Sequence, residues 1–205
     1  MKKLVLILPL FFCGFGCSTY QVGINGYSAS GADLELPQNS SISVVADTNA
    51  PNPLFEKEVA SKIQKILNEK GYSCAHVGKA DFYLFFEYGV SSGENKTGVR
   101  PIYHVGGTAT YSTIQTPGYT TYVPYSYTVF TRQLKLFLFD NSVMERKVDP
   151  LWSGTITSTG TSSDLREVIN YMLVCAFDHF GENTKKRINI TLIKGDKRAK
   201  ALIDN

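Results

Sequence analysis

Apolar side chains recur at two different periods along this chain, and the periods divide it into elements. Phe55, Val59, Ile63, Ile66 and Leu67 fall three or four residues apart, the spacing that lines one face of a helix. Asn52 and Pro53 precede them and Gly71 follows. Asparagine caps well, proline is tolerated where its missing N–H has no partner, and glycine takes the left-handed turn that ends helices. The spacing predicts an amphipathic helix over 53–70. A second run predicts another helix: Leu165, Val168, Ile169, Met172, Leu173, Ala176, Phe177 and Phe180. It starts at Asp164, with Glu167 at capping-box spacing, and Gly181 stops it.

Elsewhere the period is two. Ile42, Val44 and Val45 mark a first strand over 41–47. In 81–90 (DFYLFFEYGV), Phe82, Leu84, Phe86 and Tyr88 point one way and Tyr83 and Phe85 the other. A strand apolar on both sides belongs in the middle of a sheet, covered on both faces. The polar stretch 91–100 (SSGENKTGVR) reads as a turn. Segments 102–115 and 119–140 read as strands, separated by the turn signal Thr116-Pro117-Gly118. Strands over 151–158 (LWSGTITS) and, less regularly, 187–193 (RINITLI) complete the order β-α-β-β-β-β-α-(β). This predicts an α+β fold with two amphipathic helices packed on a mostly antiparallel sheet, the one large surface able to bury their stripes. The step from the first strand through the helix to 81–90 suits a crossover that makes one parallel pair.

The two ends differ from this body. Lys2 and Lys3 precede an apolar run from Leu4 to Phe12, too short to cross a bilayer as a helix. Gly14, Phe15, Gly16 and Cys17 follow. This stretch resembles the lipobox of bacterial lipoproteins. The resemblance implies a signal peptide over 1–16, cleavage between Gly16 and Cys17, and diacylglycerol on Cys17. More than one acyl chain makes such an anchor stable. Gly14 and Phe15 depart from the usual lipobox residues, and Ser18 is not the aspartate that resembles an inner-membrane retention signal. The expected location is the bacterial cell envelope, lipid-anchored, at the outer membrane and facing the periplasm. Residues 17–39, rich in Ser and Gly, read as a flexible tether. Residues 40–193 form the single α+β domain, and 194–205 a loose basic tail.

Charge sharpens this division. The chain of 205 residues has a formal net charge of +3. Residues 17–184 carry 12 basic and 16 acidic side chains, whereas 185–205 carry 7 and 2. The tail could touch anionic lipid headgroups or simply be solvated. A mildly acidic body is not the footprint of a nucleic-acid binder.

Segment 101–131 contains no Asp, Glu, Lys or Arg, and it holds Tyr103, Tyr111, Tyr119, Tyr122, Tyr125 and Tyr127. Tyrosine has an apolar body and a polar tip, which suits a surface for a glycan or an envelope protein. Tyr and Thr are also good strand formers, so plain hairpin arms satisfy the same composition.

No catalytic constellation is legible. His76, His104 and His179 stand apart, with no second ligand at metal spacing. The serines lack a nucleophile-elbow pattern, and Asp81 and Asp140 fall at strand ends. The expectation is a protein that is not an enzyme, with no metal and no cofactor. Cys74 and Cys175 are a candidate disulfide pair in an oxidising compartment; two buried free thiols are the other reading.

Three short motifs in order complete the reading: Ala80-Asp81-Phe82-Tyr83-Leu84, then Gln133 to Asp140 (QLKLFLFD), then Leu151-Trp152-Ser153-Gly154-Thr155. With the lipobox they resemble the bacterial lipoproteins that carry domain of unknown function 4136, over roughly residues 40–180. The resemblance implies an envelope lipoprotein and supplies no catalytic residues. The expected function is binding or assembly at the envelope. The alternatives are a ligand-binding or accessory subunit of an envelope transport or cell-wall machine, and a periplasmic hydrolase.

Overall fold

The computed structural model describes residues 19–107, 117–141 and 149–203. Among these residues, eight strands and three helices follow one another as β1 (Thr19–Ser28), β2 (Ser41–Val45), α1 (Pro53–Glu69), β3 (Ser73–Cys74), β4 (Phe82–Val90), β5 (Glu94–His104), β6 (Tyr119–Asp140), β7 (Trp152–Gly160), α2 (Ile169–Asp178), β8 (Ile188–Ile193) and α3 (Lys197–Ala201). The sheet runs β3-β2-β4-β6-β7-β1-β8, with β5 paired to β6 beyond it. β2 is parallel to β3 and β4, and the other pairings are antiparallel. The fold is α+β with a mostly antiparallel sheet.

Registers place one set of side chains on the face that the helices cover. Ile42, Leu84, Leu136, Leu138, Trp152, Ile156, Val22 and Ile24 are buried there, with Val59 and Ile63 of α1 and Met172 and Leu173 of α2. α1 begins as its sequence requires: Asn52 accepts the Phe55 N–H at 3.1 Å, and Pro53 opens the first turn. The second helix differs. Asp164 caps a short 3-10 turn, Leu165–Glu167, and α2 proper begins at Ile169.

Among the described residues, the other face of the sheet carries no helix. Tyr83 is buried beside the loop before β4, where its hydroxyl accepts the Gly78 N–H at 2.9 Å. Phe85 and Phe139 meet edge to face at 5.5 Å and stay half-buried. β4 is therefore central, as its pattern predicts, but among the described residues helices cover one side only, not both faces as expected.

Three expectations are corrected. The tether over 17–39 contains β1, which lies between β7 and β8 inside the sheet. The polar turn over 91–100 narrows to 91–93, because β5 continues the line of β4 along β6. Ser91 donates its N–H to the Thr131 carbonyl, and the pairing resumes from Glu94 opposite Val129, shifted by one residue. The tail over 194–205 is not loose at its start: Asp196 caps α3, and Ala199 and Leu202 are buried against the core.

Candidate functional site

β4 and β5 together form one long hairpin with β6. Its inner half is part of the sheet, because β7 pairs with β6 only from Phe130 to Leu138. The outer half, β5 against Tyr119 to Val129, is a two-stranded arm. Eleven paired residues extend about 35 Å in strand geometry.

Residues directly opposite across an antiparallel pair share a face. One face of the arm therefore holds Tyr119, Val123, Tyr125 and Tyr127 of β6 with Lys96, Gly98, Arg100, Ile102 and His104 of β5, and its large apolar side chains are exposed. Its rings pair with one another while its tyrosines stay exposed. His104 stacks on Tyr119 with ring centroids 4.4 Å apart, and its Nε2 lies 2.9 Å from the Thr121 hydroxyl. Tyr125 stacks beside Tyr127 at 5.7 Å and lies over Gly98, where a Cβ would come within 2.8 Å of its ring. The opposite face holds Val99, Pro101 and Tyr103 of β5 with Tyr122 and Pro124 of β6. Tyr103 is 75% exposed, Tyr122 69% and Val99 64%. Among the described residues, nine of the fifteen exposed large hydrophobic side chains lie on this arm or at its end.

The tyrosine-rich segment is thus gathered onto one projecting element. Tyr103, Tyr119, Tyr122, Tyr125 and Tyr127 are all there and exposed. Tyr111 lies outside the described residues, as do Gly16 and Cys17 of the lipobox. Val99 and the two prolines were not singled out in the sequence. Their signal was the apolar alternation Val99-x-Pro101-x-Tyr103, masked by the charged residues before it.

The other candidates do not converge. Cys74 and Cys175 are free thiols, so the candidate disulfide is absent; Cys74 is exposed and Cys175 buried in α2. Burial pushes the Cys175 thiol up to about 12. His179 pairs with Glu182 at 2.6 Å. Asp81 accepts the Ser41 N–H and hydroxyl, which hold its carboxyl below the usual range. Among the described residues no group of three metal-ligating side chains comes together, and no described helix is long and apolar enough to cross a membrane.

An open cavity of about 740 Å³ lies where β2 ends and β4 runs on. The chain leaves the sheet there because the Asp47 N–H turns to the Glu56 carboxylate, at 2.9 Å. Glu56 is buried, and among the described residues no basic side chain reaches ion-pair distance from it. The Tyr88 hydroxyl is buried nearby without a hydrogen bond of good geometry. Burial first, and then the Glu56 carboxylate, raise its pKa well above the ordinary value. The cavity brings together carboxylates and rings; among the described residues its lining contains no Ser, Cys or His.

No curated protein matches this chain. Among solved structures, a PDZ domain protein from Parabacteroides distasonis is similar over 85% of this chain, at 11% identity and a TM-score of 0.46. The chain spans 39% of that protein's length. A PelC dodecamer from Paraburkholderia phytofirmans is similar over 75% of this chain and 94% of its own, at 17% identity and a TM-score of 0.41. The model of one family, described as a domain of unknown function, matches residues 27–180. That stretch runs from the end of β1 to just past α2 and contains the three motifs, the hairpin and both long helices, so the chain belongs to the DUF4136 family.

Proposed function

We propose that this is a lipid-anchored protein of the bacterial cell envelope that acts by binding or assembly, with the β5–β6 arm as its working surface. The lipobox supports the anchor. The concentration of exposed apolar side chains on the arm carries the binding role. A hairpin of two strands is at best marginally stable alone, and one that presents Tyr103, Tyr122 and Val99 to solvent on one face gains by being covered. Large exposed apolar patches mark interaction sites.

The anchor and the arm have separate tests. Cys17→Ser should move the protein out of the membrane fraction and abolish metabolic palmitate labelling; retained labelling would refute the anchor. A photo-crosslinking side chain at Tyr122 should give specific adducts in living cells, and the same group at exposed Val77, in the loop before β4, should not. Equal crosslinking from both positions would refute the arm as the binding surface.

A further inference from the structure

We infer that the arm lies in the headgroup layer of the membrane that holds Cys17, with its Tyr103–Tyr122 face against the lipid. This rests on the anchored reading above and adds a partner for the arm. The first observation is positional. Register carries Val22 of β1 across Ser158 of β7 to Arg132 of β6. β1 and β6 run in the same direction, both antiparallel to β7. Thr19, three residues before Val22, is therefore level with Val129, at the root of the arm. Only Ser18 separates Thr19 from Cys17. Adjacent strands rotate by roughly 20–25°, so the two strand steps between β1 and β6 leave both pointing out of one end of the sheet. A lipid on Cys17 brings that end to the bilayer, and the arm extends about 35 Å from it.

The second observation is chemical. The face with Val99, Pro101, Tyr103, Tyr122 and Pro124 carries no charged side chain. The opposite face carries Glu94, Lys96 and Arg100, and its rings are occupied with each other. The arm's three charged side chains thus share one face, which also exposes Ile102, Tyr119, Val123, Tyr125 and Tyr127, and the other face is free of charge. Tyrosine favours the boundary between hydrocarbon and water, and Lys96 and Arg100 on the far side can remain hydrated. The third observation sets the depth. Both edges of a two-stranded ribbon present unpaired N–H and C=O groups, which hydrocarbon cannot satisfy. The prolines remove only one donor from each edge. The arm therefore lies along the interface and does not span the bilayer.

The test uses the full chain purified from membranes and reconstituted into vesicles of phosphatidylethanolamine and phosphatidylglycerol, the latter anionic. In a Cys74→Ser background, Tyr122→Cys carries an environment-sensitive fluorophore on the open face of the arm, and Val77→Cys carries it in the loop before β4. Both sites are exposed, so neither change disturbs the core. At Tyr122 the emission should shift to the blue, iodide quenching should be lost, and spin labels near the headgroups should quench more than labels at the bilayer centre. At Val77 iodide should quench fully. Iodide access at Tyr122 equal to that at Val77 overturns the inference, and so does strongest quenching from the bilayer centre. Shielding in native envelope vesicles but not in lipid vesicles also overturns it, because the cover is then a protein or a glycan. Palmitate labelling of the same preparation separates the two readings. Labelled protein with an aqueous Tyr122 refutes only the arm's seat, whereas unlabelled protein with a shielded Tyr122 refutes only the anchor.

Discussion

The indole of Trp152 lies across Gly154, two residues on along the same face of β7, so that a Cβ on Gly154 would come within 2.4 Å of the ring. The ring is held from three directions. Its Nε1 donates to the Glu182 carbonyl at 2.9 Å, Phe180 packs against it at 5.1 Å, and the helix-covered face of the sheet buries it completely. The Trp-Ser-Gly motif thus has a steric reason: the tryptophan needs a neighbour with no side chain. Gly154→Ala forces the ring off its seat, and overpacking of this kind costs about 1–3 kcal/mol. Thermal unfolding followed by the fluorescence of this single tryptophan should show a lower midpoint. An unchanged midpoint would mean that the ring has room to move.

Arg132 is buried on the helix-covered face without an ion pair among the described residues. Among the described residues its Nε has no hydrogen-bond partner, and its guanidinium lies over Gly160, where a Cβ would meet Nη2 at 2.5 Å. Burial lowers its pKa, and Glu167 and then Tyr20 offset part of that. A charge held this way costs desolvation that Glu167 and Tyr20 return only in part. Arg132→Met keeps most of the volume and removes the charge. Replacing a whole buried ion pair by well-packed apolar residues is often neutral or stabilising by about 1–4 kcal/mol, and here no ion-paired partner among the described residues is left behind. The urea midpoint of Arg132→Met should rise, with an unchanged slope. A lower midpoint would show that the guanidinium has a stabilising partner.

Both long helices and most of the strands were legible because each has a regular period and one buried side. The misread elements break one of those conditions. β1 (TYQVGINGYS) resembles a linker because of Gly23 and Gly26. Both are places where other groups come too close for a side chain: a Cβ would lie 2.1 Å from the Arg187 guanidinium at Gly23 and 2.3 Å from the Glu182 carbonyl at Gly26. Glycine inside a strand marks such close approach. β5 resembles a turn because solvent reaches both sides of the arm, so no hydrophobic alternation is required before Val99. The tyrosine surface was visible as composition. Its division into a face with charges and paired rings and an uncharged face depends on the pairing register, which composition does not carry.

The two thiols should behave oppositely. Cys74 is exposed, so a thiol reagent should label it in the folded protein, and Cys175 should react only after unfolding. Burial raises the folded pKa of Cys175 to about 12, while an unfolded cysteine titrates near about 8.5. Between these values the unfolded chain loses its proton first. The buried thiol's stabilising effect is therefore complete below the unfolded pKa and is lost as pH rises towards the folded one. The urea midpoint should fall over this alkaline window, and less steeply in Cys175→Ala. The raised pKa of Tyr88 adds a loss of the same sign at the upper end, which the variant retains. Equal slopes in the two proteins would remove Cys175 from the account.

Pro101 and Pro124 protect the arm from other strands. Pro101 faces Tyr122 and Pro124 faces Val99, two pairs of the same parity in the ladder. Proline has no N–H to give, so these are positions whose N–H would point away from the partner strand. Each free edge thus lacks one outward donor where an added strand would bond. Exposed strand edges otherwise invite pairing between chains, and no charged residue lies between Pro101 and Thr131 to discourage it. Replacing both prolines by threonine restores the two donors, keeps strand propensity and leaves the hydrogen bonds within the arm intact. The double variant should therefore remain folded and self-associate more strongly. Sedimentation velocity should show larger species at concentrations where the parent protein has none. A distribution identical to the parent's would show that the prolines do not protect the edges.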